Sequence, residues 1–197
     1  RLRGGVGTVC SDDACWFPIR YSGVHINKIC TGVQRLSTVH LHHTCSGDGP
    51  PVVLLHGLFG SGNNLGALAR ALAGSRRVYS VDLPNHGRSG WLEDATLATM
   101  AGGLAGWMNH QGLQQAQFVG HSLGGKIAMQ LALAQPRLVS ALVVADIAPV
   151  EYPPQHDTVF AALDAVAAAR CSSREAAATT MAAHLQEPQL IQFLLSS

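Results

Sequence analysis

The chain has 197 residues, a formal net charge of +1, 47% hydrophobic residues and 13% charged residues. This composition excludes an intrinsically disordered chain, because disorder requires low hydrophobicity and high net charge. It also argues against a nucleic-acid partner, since the chain has neither a basic excess nor a run of lysine and arginine. The length suits one domain of roughly 100–200 residues, or part of a domain of roughly 250.

Five cysteines are present, and their spacing fits no zinc or CxxC pattern. They predict free thiols in a reducing compartment, so a cytoplasmic location is expected. No signal peptide is recognisable, and the apolar runs are too short to cross a bilayer, so no membrane partner is expected. Because the first residue is Arg1 rather than Met, we expect a processed chain or a fragment of a longer reading frame.

Residues 1–36 show no sustained hydrophobic period and stay unassigned, as a disordered or foreign lead. From there to residue 151, short apolar strands alternate with amphipathic helices, which predicts a mostly parallel sheet with helices on both faces. In chain order the predicted elements are strand 38–44, strand 51–56, helix 64–72, strand 77–83, helix 95–110, strand 116–120, helix 126–133 and strand 138–145. The strand at 138–145 is expected to be buried.

Residues 152–197 change character, because they are alanine-rich and contain no further strand pattern. Helices are predicted at 158–169, 173–186 and 190–195. An all-helical stretch after a strand of such a sheet is interpreted as the start of a helical cap over the active face. Its apolar residues either line an acyl pocket or pack the cap onto the core; they are Phe160, Leu163, Leu190, Phe193 and Leu194.

The strongest chemical signal is the stretch GHSLG at residues 120–124, which fits G-x-S-x-G between a predicted strand and a predicted helix. A tight strand-to-helix turn pushes the serine hydroxyl out of the sheet, so Ser122 is the candidate nucleophile. The backbone N–H of Leu123, at the helix start, is a candidate oxyanion donor. The alternative is a plain glycine-rich turn with an exposed serine. His121 is expected to point away from the nucleophile.

A second signal, HGLFGS at residues 56–61, directly follows a predicted buried strand. A developing oxyanion needs two donors, and the backbone N–H of Leu58 is the candidate for the second, with Phe59 as its neighbour. His56 is expected to order this loop by hydrogen bonding. The stretch DLPNHGRS at 82–89 is interpreted as a structural turn, with His86 as a catalytic base being the less favoured reading.

The chain resembles the α/β-hydrolase fold family, and within it the bacterial YbfF-type esterases and their eukaryotic mitochondrial relatives. The resemblance covers residues from about 37 to 197, and residues 1–36 match nothing in the family. It rests on the stretches HGLFGSGNNLGALARAL, VDLPNHGRSG, FVGHSLGGKIAMQLALAQP, VVADIAPVEY, HDTVFAALDAV and LIQFLL. It implies the α/β-hydrolase fold without its last strands, and a mitochondrial location if the source is eukaryotic.

In this fold the catalytic residues follow the order serine, acid, histidine. The resemblance implies that Asp146, at the end of the strand after the nucleophile helix, is the acid. The alternative is an aspartate that caps the strand end or orders the following loop. His156 and His184 match cap positions in the family, so the catalytic histidine is expected to lie outside this sequence. An inactive fragment is therefore expected.

The leading function is a serine hydrolase, a carboxylesterase or thioesterase that cleaves short to medium acyl esters through an acyl-enzyme. It needs no cofactor and no metal, and its partner is a small-molecule acyl ester or thioester. One alternative is a menaquinone-pathway lyase of the same fold. Another is a non-catalytic ligand-binding protein of the hydrolase fold. The sequence gives no indication of oligomeric state.

Overall fold

The structure is a computed structural model that describes residues 39–150, 152 and 156–196. The prediction for residues 1–36 lies outside the described residues. The strands are β1 (His43–Ser46), β2 (Pro51–Leu55), β3 (Arg77–Val81), β4 (Ala116–His121) and β5 (Val139–Ala145). The helices are α1 (Gly66–Leu72), α2 (Leu97–His110), α3 (Leu123–Ala134), α4 (Asp157–Ala169), α5 (Arg174–Ala182) and α6 (Pro188–Leu195).

The five strands form one sheet in the order β1-β3-β2-β4-β5. Strand β1 runs antiparallel to β3, and the other neighbours are parallel. Alternate side chains of a strand face opposite sides of a sheet. Val52 and Leu54 accordingly pack with α1 on one face, while Val53, Leu55 and Phe118 pack with α2 and α3 on the other. The predicted mostly parallel sheet with helices on both faces is confirmed.

The predicted strand at 38–44 is wrong in its start, because β1 begins only at His43. Its position is set by antiparallel pairing with β3, in which His43 lies opposite Val81. The preceding residue still contacts the end of β3, since the His42 carbonyl accepts a hydrogen bond from the Asp82 N–H at 2.9 Å. Tertiary pairing, which the local apolar pattern does not encode, therefore decides where this strand starts.

The prediction that 138–145 is buried is also wrong. Within the described residues β5 pairs with β4 alone and forms an edge of the sheet. Val143 is 56% exposed as a result. An apolar run of this length fits an edge strand as well as a central one, so the sequence pattern does not separate the two.

Helices α4, α5 and α6 pack on one another around their own apolar cluster. Its buried members are Val159, Ala162, Met181, Leu185, Ile191 and Leu194. Helix α5 ends at Ala182, four residues before the predicted end. In the part of the chain that the structure describes, no helix has the length and apolar character needed to cross a membrane.

Candidate active site

The turn between β4 and α3 holds Ser122 in an unusual backbone conformation, with φ 48° and ψ −112°. Such a conformation costs about 1–3 kcal/mol for a residue other than glycine and persists only where its surroundings impose it. Here the Ser122 N–H donates to the Ala145 carbonyl at 2.9 Å, and its own carbonyl accepts from Lys126 N–H at 3.1 Å. Ser122 is thereby fixed between the end of β5 and the first turn of α3.

Glycines on either side of Ser122 allow the backbone to approach closely. A Cβ atom on Gly120 would lie 2.5 Å from the Gly124 carbonyl oxygen, and one on Gly124 would lie 2.5 Å from the Leu55 oxygen. The Gly124 N–H also donates to the His56 carbonyl at 3.1 Å. These contacts leave room for no side chain at either position, and they hold the turn against the end of β2.

His56 orders the loop after β2 by hydrogen bonding, as predicted. Its Nε2 accepts from the Leu83 N–H at 3.0 Å, so in the neutral ring Nδ1 carries the proton and donates to the Gly57 carbonyl at 2.7 Å. The side chain is fully buried. Burial, opposed by the bond to Gly57, lowers the pKa of His56 from 6.5 to about 4. This histidine is therefore neutral at pH 7 with both ring nitrogens engaged.

Leu58 and Phe59 lie at the corner of a tight turn that follows His56. The Gly60 N–H closes this turn by donating to the Gly57 carbonyl at 3.1 Å. Phe59, the third residue of the turn, has φ 60°, a left-handed conformation typical of that turn position. The candidate oxyanion loop is therefore a defined turn at the carboxyl end of β2. It lies next to the turn between β4 and α3 at Ser122, which is called the elbow below.

Asp82, at the end of β3, is a buried structural carboxylate. Its Oδ1 accepts from the Gly62 N–H at 2.7 Å, and its Oδ2 accepts from the Arg88 N–H at 3.0 Å. Burial alone would raise the pKa of Asp82, but these two bonds and nearby His42 outweigh it and lower the pKa. The predicted structural turn at 82–89 agrees with these contacts.

His86, the less favoured candidate for a base, lies in this turn. Its Nδ1 donates to the Pro84 carbonyl at 2.9 Å, and its ring lies 5.2 Å from the ring of His56. The first contact lies within the turn, and the second is with the loop after β2. His86 therefore suits a structural role, in which it orders these two loops.

Asp146 directly follows β5, with φ 59° and a side chain that is 83% exposed. Its Oδ2 lies 3.4 Å from Nε2 of His121. Since β4 and β5 are parallel neighbours, with His121 opposite Ala145, Ser122 and Asp146 begin the loops at adjacent strand ends. Sequence reasoning placed Asp146 at this edge but missed its contact with His121.

The loop after Asp146 is tied back to helix α3 by Tyr152. The Tyr152 hydroxyl accepts from the Ala148 N–H at 3.0 Å, and Nζ of Lys126 lies 4.6 Å from the centre of the tyrosine ring. A cation over an aromatic ring at an exposed site contributes about 0.5–1 kcal/mol. This pair was not found from the sequence, because the two residues are distant along the chain and fit no motif.

The helical segment predicted to be a cap contacts the candidate oxyanion loop through aromatic rings. The Phe59 ring lies edge-on to Phe160 at 5.5 Å and to His156 at 6.4 Å. Phe160 is half exposed, whereas Leu194 is buried in the apolar cluster of α4, α5 and α6. The other apolar residues considered for an acyl pocket are partly buried against that cluster, namely Leu163, Leu190 and Phe193. Packing among these three helices accounts for most of these positions.

The described residues contain no group of three or more histidine, cysteine, aspartate or glutamate side chains that could hold a metal ion.

A profile of the α/β hydrolase fold matches residues 50–170, a stretch that includes the elbow, the loop after β2 and Asp146. The chain belongs to the α/β-hydrolase fold family, so the resemblance noted in the sequence is confirmed. It is 46% identical over 165 residues to "Esterase YbfF" of Escherichia coli (strain K12), covering 83% of this chain and 63% of that protein.

Other known proteins show the same relationship. The chain is 41% identical over 156 residues to "sn-1-specific diacylglycerol lipase ABHD11" of Mus musculus, covering 75% of this chain and 51% of that protein. A solved structure, "Marine microorganism esterase", superposes with a TM-score of 0.77 at 35% identity, covering 80% of this chain and 63% of the other. The chain thus spans between half and two thirds of the length of these relatives.

Proposed function

We propose that the protein is a serine hydrolase, a carboxylesterase or thioesterase that cleaves short to medium acyl esters with Ser122 as nucleophile. The observation that carries this proposal is the backbone of Ser122, which has φ 48° and ψ −112° between β4 and α3. A serine held in this way at a G-x-S-x-G turn presents its hydroxyl outward from the sheet edge. The alternative, a plain glycine-rich turn with an exposed serine, requires neither the strain nor the hydrogen bond from Ser122 to Ala145.

The proposed reaction proceeds through an acyl-enzyme. Ser122 Oγ attacks the ester or thioester carbonyl carbon while its proton passes to a histidine base. The carbonyl oxygen becomes an oxyanion, which the backbone N–H groups of Leu58 and Leu123 stabilise. Collapse of this intermediate breaks the bond to the leaving alcohol or thiol, which takes the proton from the base. Water, deprotonated by the same base, then attacks the acyl carbon. The bond from that carbon to Ser122 Oγ breaks, the base returns the proton to Oγ, and the carboxylic acid is released.

Asp146 is the proposed acid that orients this base and stabilises its cationic form. Support comes from its place one strand away from Ser122, with the backbone of the preceding Ala145 bonded to the Ser122 N–H. The base itself is proposed to be a histidine outside residues 1–197. His56 has both ring nitrogens engaged, and His156 packs against Phe59 at the start of the cap. Residues 1–197 alone are accordingly proposed to be nearly inactive.

The names of the relatives favour this chemistry over the lyase and over a non-catalytic role, since they are an esterase and a lipase. The half-exposed ring of Phe160 beside Phe59 offers an apolar surface next to the proposed oxyanion loop, which suits an acyl chain.

The proposed domain division is a hydrolase core at residues 37–151 and the start of a helical cap at residues 152–197. Free thiols at Cys45 and Cys171 accord with the proposed cytoplasmic location, or a mitochondrial one in a eukaryote.

Steady-state hydrolysis of p-nitrophenyl esters by the complete gene product tests the proposal. Ser122→Ala is expected to lower kcat by at least about 1,000-fold, because removal of a triad member costs several orders of magnitude. Ser140→Ala, an exposed serine on β5, is the matched control and is expected to keep wild-type rates. Wild-type rates in Ser122→Ala, or no hydrolysis by the intact protein, would overturn the proposal.

A further inference from the structure

The geometry points to His121 as a positioning residue that holds the carboxylate of Asp146 in place for the base. This inference rests on the proposed function, because it assigns a role within the same site. His121 is the residue before the proposed nucleophile, and its Nε2 lies 3.4 Å from Oδ2 of Asp146. In this role it acts through the acid and not on the reacting atoms themselves.

The position of the His121 ring is fixed by the loop after β2. A Cβ atom added to Gly57 would lie 2.8 Å from His121 Nδ1 and 3.2 Å from its Cε1, so the ring packs directly against the glycine backbone. The same point lies 3.4 Å from Cβ of Ser122. The imidazole therefore fills the space between the candidate oxyanion loop and Asp146, with Nδ1 toward the loop and Nε2 toward the carboxylate.

Within the described residues, the side chain of Asp146 is weakly restrained. The side chain is 83% exposed, and the backbone on either side is held by the bonds of the Ala145 carbonyl and the Ala148 N–H. Tyr152 fixes the following loop through the Ala148 N–H, but that bond does not involve the Asp146 carboxylate. Among the ion pairs of the described residues, the Asp146 carboxylate has His121 as its partner.

The contact contributes little to the stability of the fold, since both side chains are exposed and solvent screens such a pair. Its value lies in orientation, because small displacements of a group in a catalytic array reduce the rate strongly. A positioning role therefore predicts a large effect on kcat and a small effect on stability, whereas a structural role predicts the reverse.

Two substitutions of His121 in the complete gene product separate these roles. His121→Phe keeps a planar ring against Gly57 but removes the nitrogen that faces Asp146, and it is expected to lower kcat about 10-fold with KM within twofold. His121→Gln keeps an N–H donor at the place of Nε2 and is expected to recover most of kcat. The matched control is His110→Phe, an exposed histidine at the end of α2, which is expected to change nothing.

Coupling to Asp146 is tested by repeating His121→Phe in an Asp146→Ala background, where no further loss of kcat is expected. The inference is overturned if His121→Phe keeps kcat within twofold of wild type, if glutamine fails to restore kcat, or if the loss persists in full without Asp146.

A second measurement does not depend on turnover. The carboxyl ¹³C resonance of Asp146, assigned by its loss in Asp146→Asn, is expected to shift in His121→Phe and to stay in place in His110→Phe. An unmoved resonance overturns the inference. Full hydrolysis by Ser122→Ala would instead overturn the proposed function, and the carboxyl resonance would still decide the role of His121.

Discussion

The turn at Ser122 and the turn at Asp146 begin at adjacent strand ends of the same sheet, and both place a non-glycine residue at positive φ, 48° and 59°. They are held in different ways. Ser122 is fixed by backbone hydrogen bonds on both sides and by glycines that leave no space for a side chain. The Asp146 side chain is 83% exposed and, within the described residues, is held by an ion-pair contact with His121 at 3.4 Å.

This contrast separates a residue whose position is determined by the main chain from one whose position is determined by side chains. The position of the proposed nucleophile follows from backbone packing, so a disturbance there is expected to damage the fold. The position of the proposed acid depends on the side chains around it, so a disturbance there is expected to reduce the rate and leave the fold intact. Three stability measurements test this contrast, from the largest expected effect to the smallest.

Gly124→Ala tests the backbone side of the contrast. The added Cβ would lie 2.5 Å from the Leu55 oxygen and 2.6 Å from the His56 oxygen, neither of which can move without distorting β2. We expect a loss of about 3 kcal/mol or more in the free energy of unfolding, measured by urea denaturation. Gly102→Ala in α2 is the control: apart from the adjacent backbone of the helix, no atom lies within 4 Å of the added Cβ, and a gain of about 0.5–1 kcal/mol is expected. A loss below about 1 kcal/mol for Gly124→Ala would contradict the proposed rigidity of the elbow.

The pH dependence of stability tests the buried imidazole that orders the oxyanion loop. Burial lowers the pKa of His56 from 6.5 to about 4, so between these values the unfolded chain binds a proton that the folded chain does not. Stability is therefore fully present above pH 6.5 and falls as the pH drops toward 4, by about 3 kcal/mol. Urea unfolding across this range measures the loss.

His56→Gln is the matched variant for this measurement. It is expected to be less stable at pH 7, because the bonds to Gly57 and Leu83 change, but to lose clearly less between pH 6.5 and 4. An unchanged slope in the variant would show that other groups carry the pH dependence.

Tyr152→Phe tests the side-chain support of the acid loop and has the smallest expected effect. The substitution removes the acceptor of the Ala148 N–H at 3.0 Å but keeps the ring beside Lys126. We expect a loss of about 0.5–1 kcal/mol, seen as roughly twofold to fivefold faster hydrogen exchange at the Ala148 amide. The Gly124 amide, bonded to the His56 carbonyl, serves as the internal control and is expected to exchange at its wild-type rate. Equal acceleration at both amides would mean that the two turns are not independent.

Local sequence pattern was sufficient for most of the fold. The uninterrupted apolar run of β2 and the helical spacing in α1 identified elements whose environment follows from hydrophobicity alone. The turn at Ser122 could be predicted because the close backbone approach at this turn requires glycines, and these fall within a motif of five residues. The exposure of β5 could not, since an apolar run looks alike at the edge and in the centre of a sheet.

The contacts that sequence reasoning missed are those between side chains brought together by the sheet. His121 meets Asp146 because β4 and β5 are parallel neighbours in a register that pairs His121 with Ala145. Lys126 meets Tyr152 because the loop after β5 folds back over the first turn of α3. Neither pair has a spacing that a motif could capture, and both depend on register and loop path, which three-dimensional structure alone provides.

The most direct test of the central claim is to find which residue a fluorophosphonate probe modifies. The complete gene product is treated with the probe, digested, and sequenced by tandem mass spectrometry. The account predicts one stoichiometric adduct, on the peptide that contains Ser122, and its loss in Ser122→Ala. An adduct on another serine, or an intact protein that takes up no probe, would contradict it.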